Sequence, residues 1–179
     1  MQKKNRGKKG ILFWITGLSG SGKTRVGKKI HKFISKNFGP TIVISGDDLR
    51  KIFSLRRYDF KSRIKYCKYY SKFCRKITNQ GIYVIMCVVC LSNQARNENR
   101  KNFSNYFEIY IKSKIKLIKV NTNKRTYKNK SNVWGIDLKP EFPKNYDVVI
   151  TNNFSKNINS ISSLLEKKIE KKFNLRKNN

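Results

Sequence analysis

The chain has 179 residues, with 42 Lys and Arg against 10 Asp and Glu for a formal charge of +32; this length suits one domain whose core needs neither disulfides nor a structural metal. No segment reaches the roughly 20 apolar residues of a membrane span, and MQKKNRGKKG has no apolar stretch before the first strand, so a cytoplasmic protein without membrane attachment is expected. Such a charge attracts polyanions, yet lysine and asparagine are spread along the whole chain, and zinc-finger, recognition-helix and aromatic RNA motifs are missing. Genome composition accounts for the charge at least as well as a nucleic-acid surface does, and nucleic acid is not the expected partner.

Residues 1–9 form a basic arm ahead of a single domain over 10–175. The run ILFWI at 11–15 reads as a parallel strand buried on both faces. It stops in GLSGSGKT, where Gly17, Gly22, Lys23 and Thr24 satisfy G-x-x-x-x-G-K-[ST], and Val26, Ile30, Phe33 and Ile34 follow at helical spacing. Glycines let the backbone turn its N–H groups inward, and the helix adds its positive end. Gly17, Leu18, Ser19, Gly20, Ser21, Gly22, Lys23 and Thr24 are therefore the candidate ATP-binding residues. Lys23 would reach the β- and γ-phosphates, and the Thr24 hydroxyl would ligate magnesium. The alternative, a glycine turn that only joins strand to helix, is disfavoured because motif and context agree.

Gly39-Pro40 breaks the chain, and TIVIS opens a second strand at Thr41 that ends in Ser45-Gly46-Asp47-Asp48-Leu49-Arg50. Acidic residues at the carboxyl end of such a strand sit on the ligand side. A carboxylate there can hold magnesium through water or take a proton from a substrate hydroxyl, and Arg50 can clamp an anion. Each aspartate could equally cap the next helix, and both readings stay open. After an irregular basic stretch at 51–61 with Arg56, Arg57 and Tyr58, a helix is predicted over 62–79 with Ile64, Cys67, Phe73, Cys74 and Ile77 inward. Gln80-Gly81 ends it before a third strand at 82–89. A polar, partly helical segment, a fourth strand at 107–111 and a short helix through Val120 come next.

Residues 121–135 are polar and basic, with Lys124, Arg125, Lys128 and Lys130, a composition that suits a lid over phosphates or a solvated charge run. Two prolines, a fifth strand at 147–151 and a last helix at 158–173, with Ile161, Leu164, Leu165 and Ile169 inward, complete an α/β chain with a five-stranded parallel sheet between helices. Cys87 and Cys90 form a C-x-x-C within a strand, where their odd spacing sends the side chains to opposite faces and argues against a shared metal. Cys67 and Cys74 share a helix face as core thiols, and all four cysteines are expected to be free in a reducing compartment.

These segments resemble the adenylylsulfate kinases from Ile11 to about Asn153. The resemblance rests on GLSGSGKT at 17–24, S-G-D-D-L-R where that family has D-G-D-N-x-R, Arg63, Gln80-Gly81, Tyr106-Phe107-Glu108, and GID followed by PKNYDVVI at 135–150. It implies a P-loop NTPase-type three-layer αβα sandwich. It also implies transfer of a phosphoryl group from MgATP to the 3′-hydroxyl of adenosine 5′-phosphosulfate in sulfate activation. Mapped by motif, Lys23 and Asp47 are the catalytic candidates, with Asp47 orienting or deprotonating the hydroxyl and sharing the metal with Thr24. Arg50, Tyr58, Arg63, Cys90 and Lys128 are the remaining candidates for acceptor binding. A homodimer is compatible with this reading.

The departures gather at the acceptor. Ser45 replaces the first aspartate of D-G-D-N, Tyr66 the asparagine of N-I-R-R, Cys90 the serine of I-S-P-[FY]-R, and Val133 the aromatic residue of F-T-G-I-D. They motivate a second expectation, a kinase of another nucleotide anhydride such as cytidine diphosphoramidate, whose cytidine would meet Tyr58 opposite Val133. A third, from another class, is a non-catalytic phosphate-loop protein that holds nucleic acid.

Overall fold

The computed structural model describes residues 9–122, 127 and 131–175. Lys124, Arg125, Lys128 and Lys130 of the expected lid, and residues 1–8 of the basic arm, lie outside the described residues. Five parallel strands, β1 (Leu12–Thr16), β2 (Thr41–Ser45), β3 (Tyr83–Val88), β4 (Tyr106–Lys112) and β5 (Val148–Thr151), are ordered β2-β3-β1-β4-β5. The helices are α1 (Lys23–Phe38), α2 (Gly46–Ile52), α3 (Phe60–Thr78), α4 (Asn93–Asn102), α5 (Ile115–Asn121) and α6 (Ile158–Phe173). This is the expected αβα sandwich. No described helix is long and apolar enough to cross a membrane.

The strands form because their residues are apolar on both pleat faces. Every residue of β1 and β3 is buried, as a central parallel strand demands. Phe13, Ile15, Ile85 and Cys87 pack under α1 and α6, while Leu12, Trp14, Val84 and Met86 pack against α3. The C-x-x-C is split in the same way, with Cys87 in the first layer and Cys90 in the second. Gly27 is needed where α1 crosses β3, since a Cβ there would lie 2.4 Å from the Cys87 sulfur.

Two expectations are corrected. Helix α3 buries Tyr66, Cys67, Tyr70, Cys74 and Thr78, whereas Phe73 is exposed. The inward stripe is thus rotated toward tyrosines, which can bury a ring and still satisfy a hydroxyl; the Tyr70 hydroxyl donates to the Gly46 carbonyl at 3.4 Å. The second correction concerns the thiols. Cys67 and Cys90 form a disulfide, with Cα atoms 6.4 Å apart, and only Cys74 and Cys87 are free. The fold brings the middle of α3 against the loop that follows β3, a proximity that 23 residues of separation conceal. Burial pushes the thiols of Cys74 and Cys87 up to about 12, which makes them unreactive packing groups.

A buried ionic cluster ties β4 to α4. Glu108, 1 % exposed, faces Arg96 Nε at 3.4 Å and Arg100 Nη2 at 3.2 Å. Burial pushes the Glu108 carboxyl up, and the two guanidiniums oppose that shift. Arg96, itself buried, also donates to the Cys90 carbonyl at 3.2 Å and the Glu141 carbonyl at 2.7 Å. Arg96→Ala strips a buried carboxylate of its buried partner and should destabilise the chain by about 3–5 kcal/mol in equilibrium denaturant unfolding. An unchanged unfolding midpoint would mean that Arg100 alone suffices or that Glu108 is carried protonated.

Candidate active site

A cavity of about 740 Å³ opens at the carboxyl ends of β1, β2 and β3. Its floor is the turn between β1 and α1. Gly17, Gly20 and Gly22 have φ values of 148°, 77° and 97°, a region that side chains with a Cβ rarely adopt. At Gly17 space forbids a side chain as well, because a Cβ would lie 2.4 Å from the Ile111 carbonyl oxygen. Ser19, Gly20, Gly22, Lys23 and Thr24 line the cavity, while Leu18 and Ser21 are buried beneath it. The Lys23 ammonium donates to the Leu18 carbonyl at 2.7 Å, so the loop holds its own cation close to the turn. Two bonds from outside brace the turn. Asn152 Nδ2, at the end of β5, donates to the Ser21 carbonyl at 3.0 Å, and the Tyr127 hydroxyl donates to the Ser19 carbonyl at 2.8 Å.

The two aspartates after β2 separate cleanly. Ser45 caps α2: its hydroxyl accepts the Asp48 N–H at 3.1 Å, and the Asp48 carboxylate accepts the Ser45 N–H at 3.0 Å and hydroxyl at 2.7 Å. The Ser45 hydroxyl holds the Asp48 carboxyl below its ordinary range. Asp47 takes no part in this box. It is exposed and lines the cavity, and its carboxylate makes no hydrogen bond among the described residues. The capping reading therefore belongs to Asp48, and the carboxylate directed to the cavity is Asp47.

Arg50, Tyr58 and Arg63 form the opposite wall. The Arg50 guanidinium lies 4.2 Å from the Tyr58 ring centroid and 5.0 Å from that of Tyr66, and its Nη1 donates to the carbonyls of Leu55 and Arg57 at 2.9 and 3.0 Å. Arg63 stands 5.3 Å from the Tyr58 centroid, donating Nε to the Tyr58 carbonyl at 2.7 Å and Nη2 to the Asn132 carbonyl at 2.5 Å. Burial lowers the Arg63 guanidinium and the neighbouring Arg50 adds to this, yet arginine remains charged in proteins. Neither arginine forms a direct ion pair with a carboxylate among the described residues, although Asp137 is near enough to favour the charged form of Arg63, so two cations converge on one wall. That wall calls for an anion.

Cys90 does not line the cavity. It is 1 % exposed and bonded to Cys67, which does line it. Val133 lines the cavity, 5 % exposed, with Trp134 beside it touching the Phe60 ring edge-on at 5.8 Å. Asp137 fixes this turn by accepting the N–H groups of Asn132 and Val133. Trp134 and Asn152 are cavity residues that the sequence did not single out, and Tyr66, noted there only as a departure at the acceptor, lines the cavity as well. Asn152 was within reach, since it ends a strand on the ligand side, and Tyr66 lies one helical turn beyond Arg63.

The sequence profile described as adenylylsulphate kinase matches residues 9–151. The cytidine diphosphoramidate kinase of Campylobacter jejuni is 32% identical over 163 residues, covering 88% of this chain and 95% of that protein. The adenylyl-sulfate kinase of Clostridium kluyveri is 26% identical over 173 residues, covering 93% of this chain and 87% of the other. Among solved structures, the Mycobacterium tuberculosis APS kinase in complex with AMPPNP and APS superposes with a TM-score of 0.80 at 22% identity, covering 90% of this chain and 98% of that one.

Proposed function

Because the chain belongs to the adenylylsulphate kinase family of ATP-dependent kinases, we propose that it transfers the γ-phosphate of ATP to a ribose hydroxyl of a nucleotide carrying a 5′ anhydride, with cytidine diphosphoramidate as acceptor. The observation that carries the acceptor is that Tyr58 and Val133 both line the cavity, with an aliphatic side chain where the resembling pattern has an aromatic one, and that the Tyr58 ring already bears the Arg50 guanidinium. A one-sided stack against an aliphatic wall grips a purine less well than an aromatic sandwich does, which favours a smaller base. The 32% identity to the Campylobacter jejuni kinase supports the same choice. Adenosine 5′-phosphosulfate, the acceptor expected first from the sequence, is the second reading. It is favoured by the GID and PKNYD segments and by the Clostridium kluyveri relative.

In this reading the backbone N–H groups of Gly17 to Thr24 and the α1 N-terminus hold the ATP phosphates, and Lys23 exchanges the Leu18 carbonyl for the β- and γ-phosphates. The Thr24 hydroxyl and, through water, Asp47 fit a magnesium ion that shields phosphate charge. No group of three acidic, His or Cys side chains gathers among the described residues, so phosphate oxygens and water must complete its shell. Arg50 and Arg63 hold the anhydride, and Asp47 orients the hydroxyl and accepts its proton.

A coupled ADP-release assay with the two acceptors side by side tests the choice. The cytidine compound should show a kcat/KM at least about tenfold above the adenosine one, the size of one aromatic contact. The reverse order would transfer the assignment to adenosine 5′-phosphosulfate. Turnover with neither would remove both readings and leave the nucleic-acid-binding protein, which predicts salt-sensitive duplex or single-strand binding.

A further inference from the structure

Tyr66 has no role in the reading above, although it sits between the groups that have one. It projects from α3 one turn after Arg63, is 8 % exposed, and lines the cavity. Its ring underlies the Arg50 guanidinium at 5.0 Å, while Tyr58 covers the same guanidinium at 4.2 Å. We propose that Tyr66 is a positioning residue for the acceptor: its ring holds the Arg50 guanidinium against Tyr58, so that the cation faces the cavity before any nucleotide arrives.

An arginine on a seven-residue helix has a long, flexible stem and gains little order from its own backbone. Here one nitrogen, Nη1, is committed to the carbonyls of Leu55 and Arg57, which leaves the Nε and Nη2 donors for an anion. Two rings fix the plane in which those donors lie. Tyr58 alone could not do this, because it is half exposed and also lies near Arg63. Tyr66 is buried and locked among Cys67, Tyr70 and the sheet, so it supplies the rigid half of the clamp. Asparagine, the residue of the resembling pattern at this position, offers no π-face. The departure at Tyr66 thus replaces a polar contact with an electrostatic support for the neighbouring arginine.

This inference rests on the acceptor site proposed above, and its test separates the two. Steady-state kinetics would compare wild type, Tyr66→Phe, Tyr66→Leu, Arg50→Leu and the Tyr66→Leu/Arg50→Leu pair, using cytidine diphosphoramidate and adenosine 5′-phosphosulfate in parallel. Tyr66→Leu should raise the KM of the acceptor about tenfold, the size of one cation–π contact, and leave the KM of ATP unchanged. Tyr66→Phe, which keeps the ring, should stay within about twofold of wild type. The double variant should match Arg50→Leu alone, since Tyr66 acts through Arg50.

Additive effects, an equal rise in the KM of ATP, or loss on Tyr66→Phe would overturn the proposal. Should Tyr66→Leu fail to fold, NMR of the ligand-free wild type decides: the Arg50 side-chain protons should be ring-shifted upfield, and unshifted resonances sink the clamp. Wild-type turnover with normal Tyr66→Leu kinetics removes this inference alone, whereas no turnover with either nucleotide removes the functional reading first.

Discussion

Replacing Lys23 with alanine should lower turnover by about 1000-fold or more while the chain stays folded, because one ammonium directed at transferring phosphate carries charge that nothing else in the loop supplies. Lys23 is the first residue of α1 and 7 % exposed, with its nitrogen 2.7 Å from the Leu18 carbonyl. The loop thus holds the cation in its ligand-free shape, and ATP has only to draw it across. Alanine is a good helix former, so α1 should persist. Circular dichroism would verify the fold, and product formation by the coupled assay would give the loss. Turnover within tenfold of wild type would show that Lys23 is not the phosphate cation. If nucleic-acid binding at low salt survived the change and no ATP-dependent product were seen from the wild type, the non-catalytic reading would replace the kinase.

Asp47→Asn should lower kcat by about 100-fold or more with ATP binding nearly intact, since the amide keeps the shape of the carboxylate and loses its basicity. The neighbouring residue provides the control. Asp48 is bound into the Ser45 capping box, so Asp48→Ala should cost about 1 kcal/mol of stability and spare kcat. The two variants therefore predict opposite patterns, one kinetic and one thermodynamic. If Asp48→Ala removed activity and Asp47→Asn kept it, the proton acceptor would be Asp48 and the cap would have to open during the reaction.

Much of this was legible because it is local. The turn from Gly17 to Thr24 depends on φ values that a few residues dictate, and the strands announce themselves as unbroken apolar runs. Helix α6 likewise spans the residues its apolar spacing gave, with Ile161, Leu165 and Ile169 buried as expected and Leu164 exposed against expectation. What escaped depends on partners distant in sequence. Ranking by hydrophobicity put Phe73 inside α3, but the surrounding layer offers a carbonyl at Gly46 and a guanidinium at Arg50, which tyrosines use better. The Cys67–Cys90 pair needed the packing of α3 against β3 to be seen. The S-x-x-D spacing from Ser45 to Asp48 carried the capping signal, which the reading of the sequence left open between the two aspartates. Seven-residue α2 was itself read only as an unplaced possibility after β2.

The order of the strands has a consequence for how such a protein can change over time. The donor loop springs from β1, the middle strand, hydrogen-bonded on both sides and wholly buried. Arg50 and Tyr58 follow instead from the end of β2, the edge strand, most of whose residues are only half-buried. A substitution at the margin disturbs few neighbours, while one at the centre disturbs the whole sheet. On the reading proposed above, acceptor contacts can therefore change along an edge while the phosphate loop at the centre stays as it is. One lineage can explore new nucleotides without having to reinvent phosphoryl transfer each time.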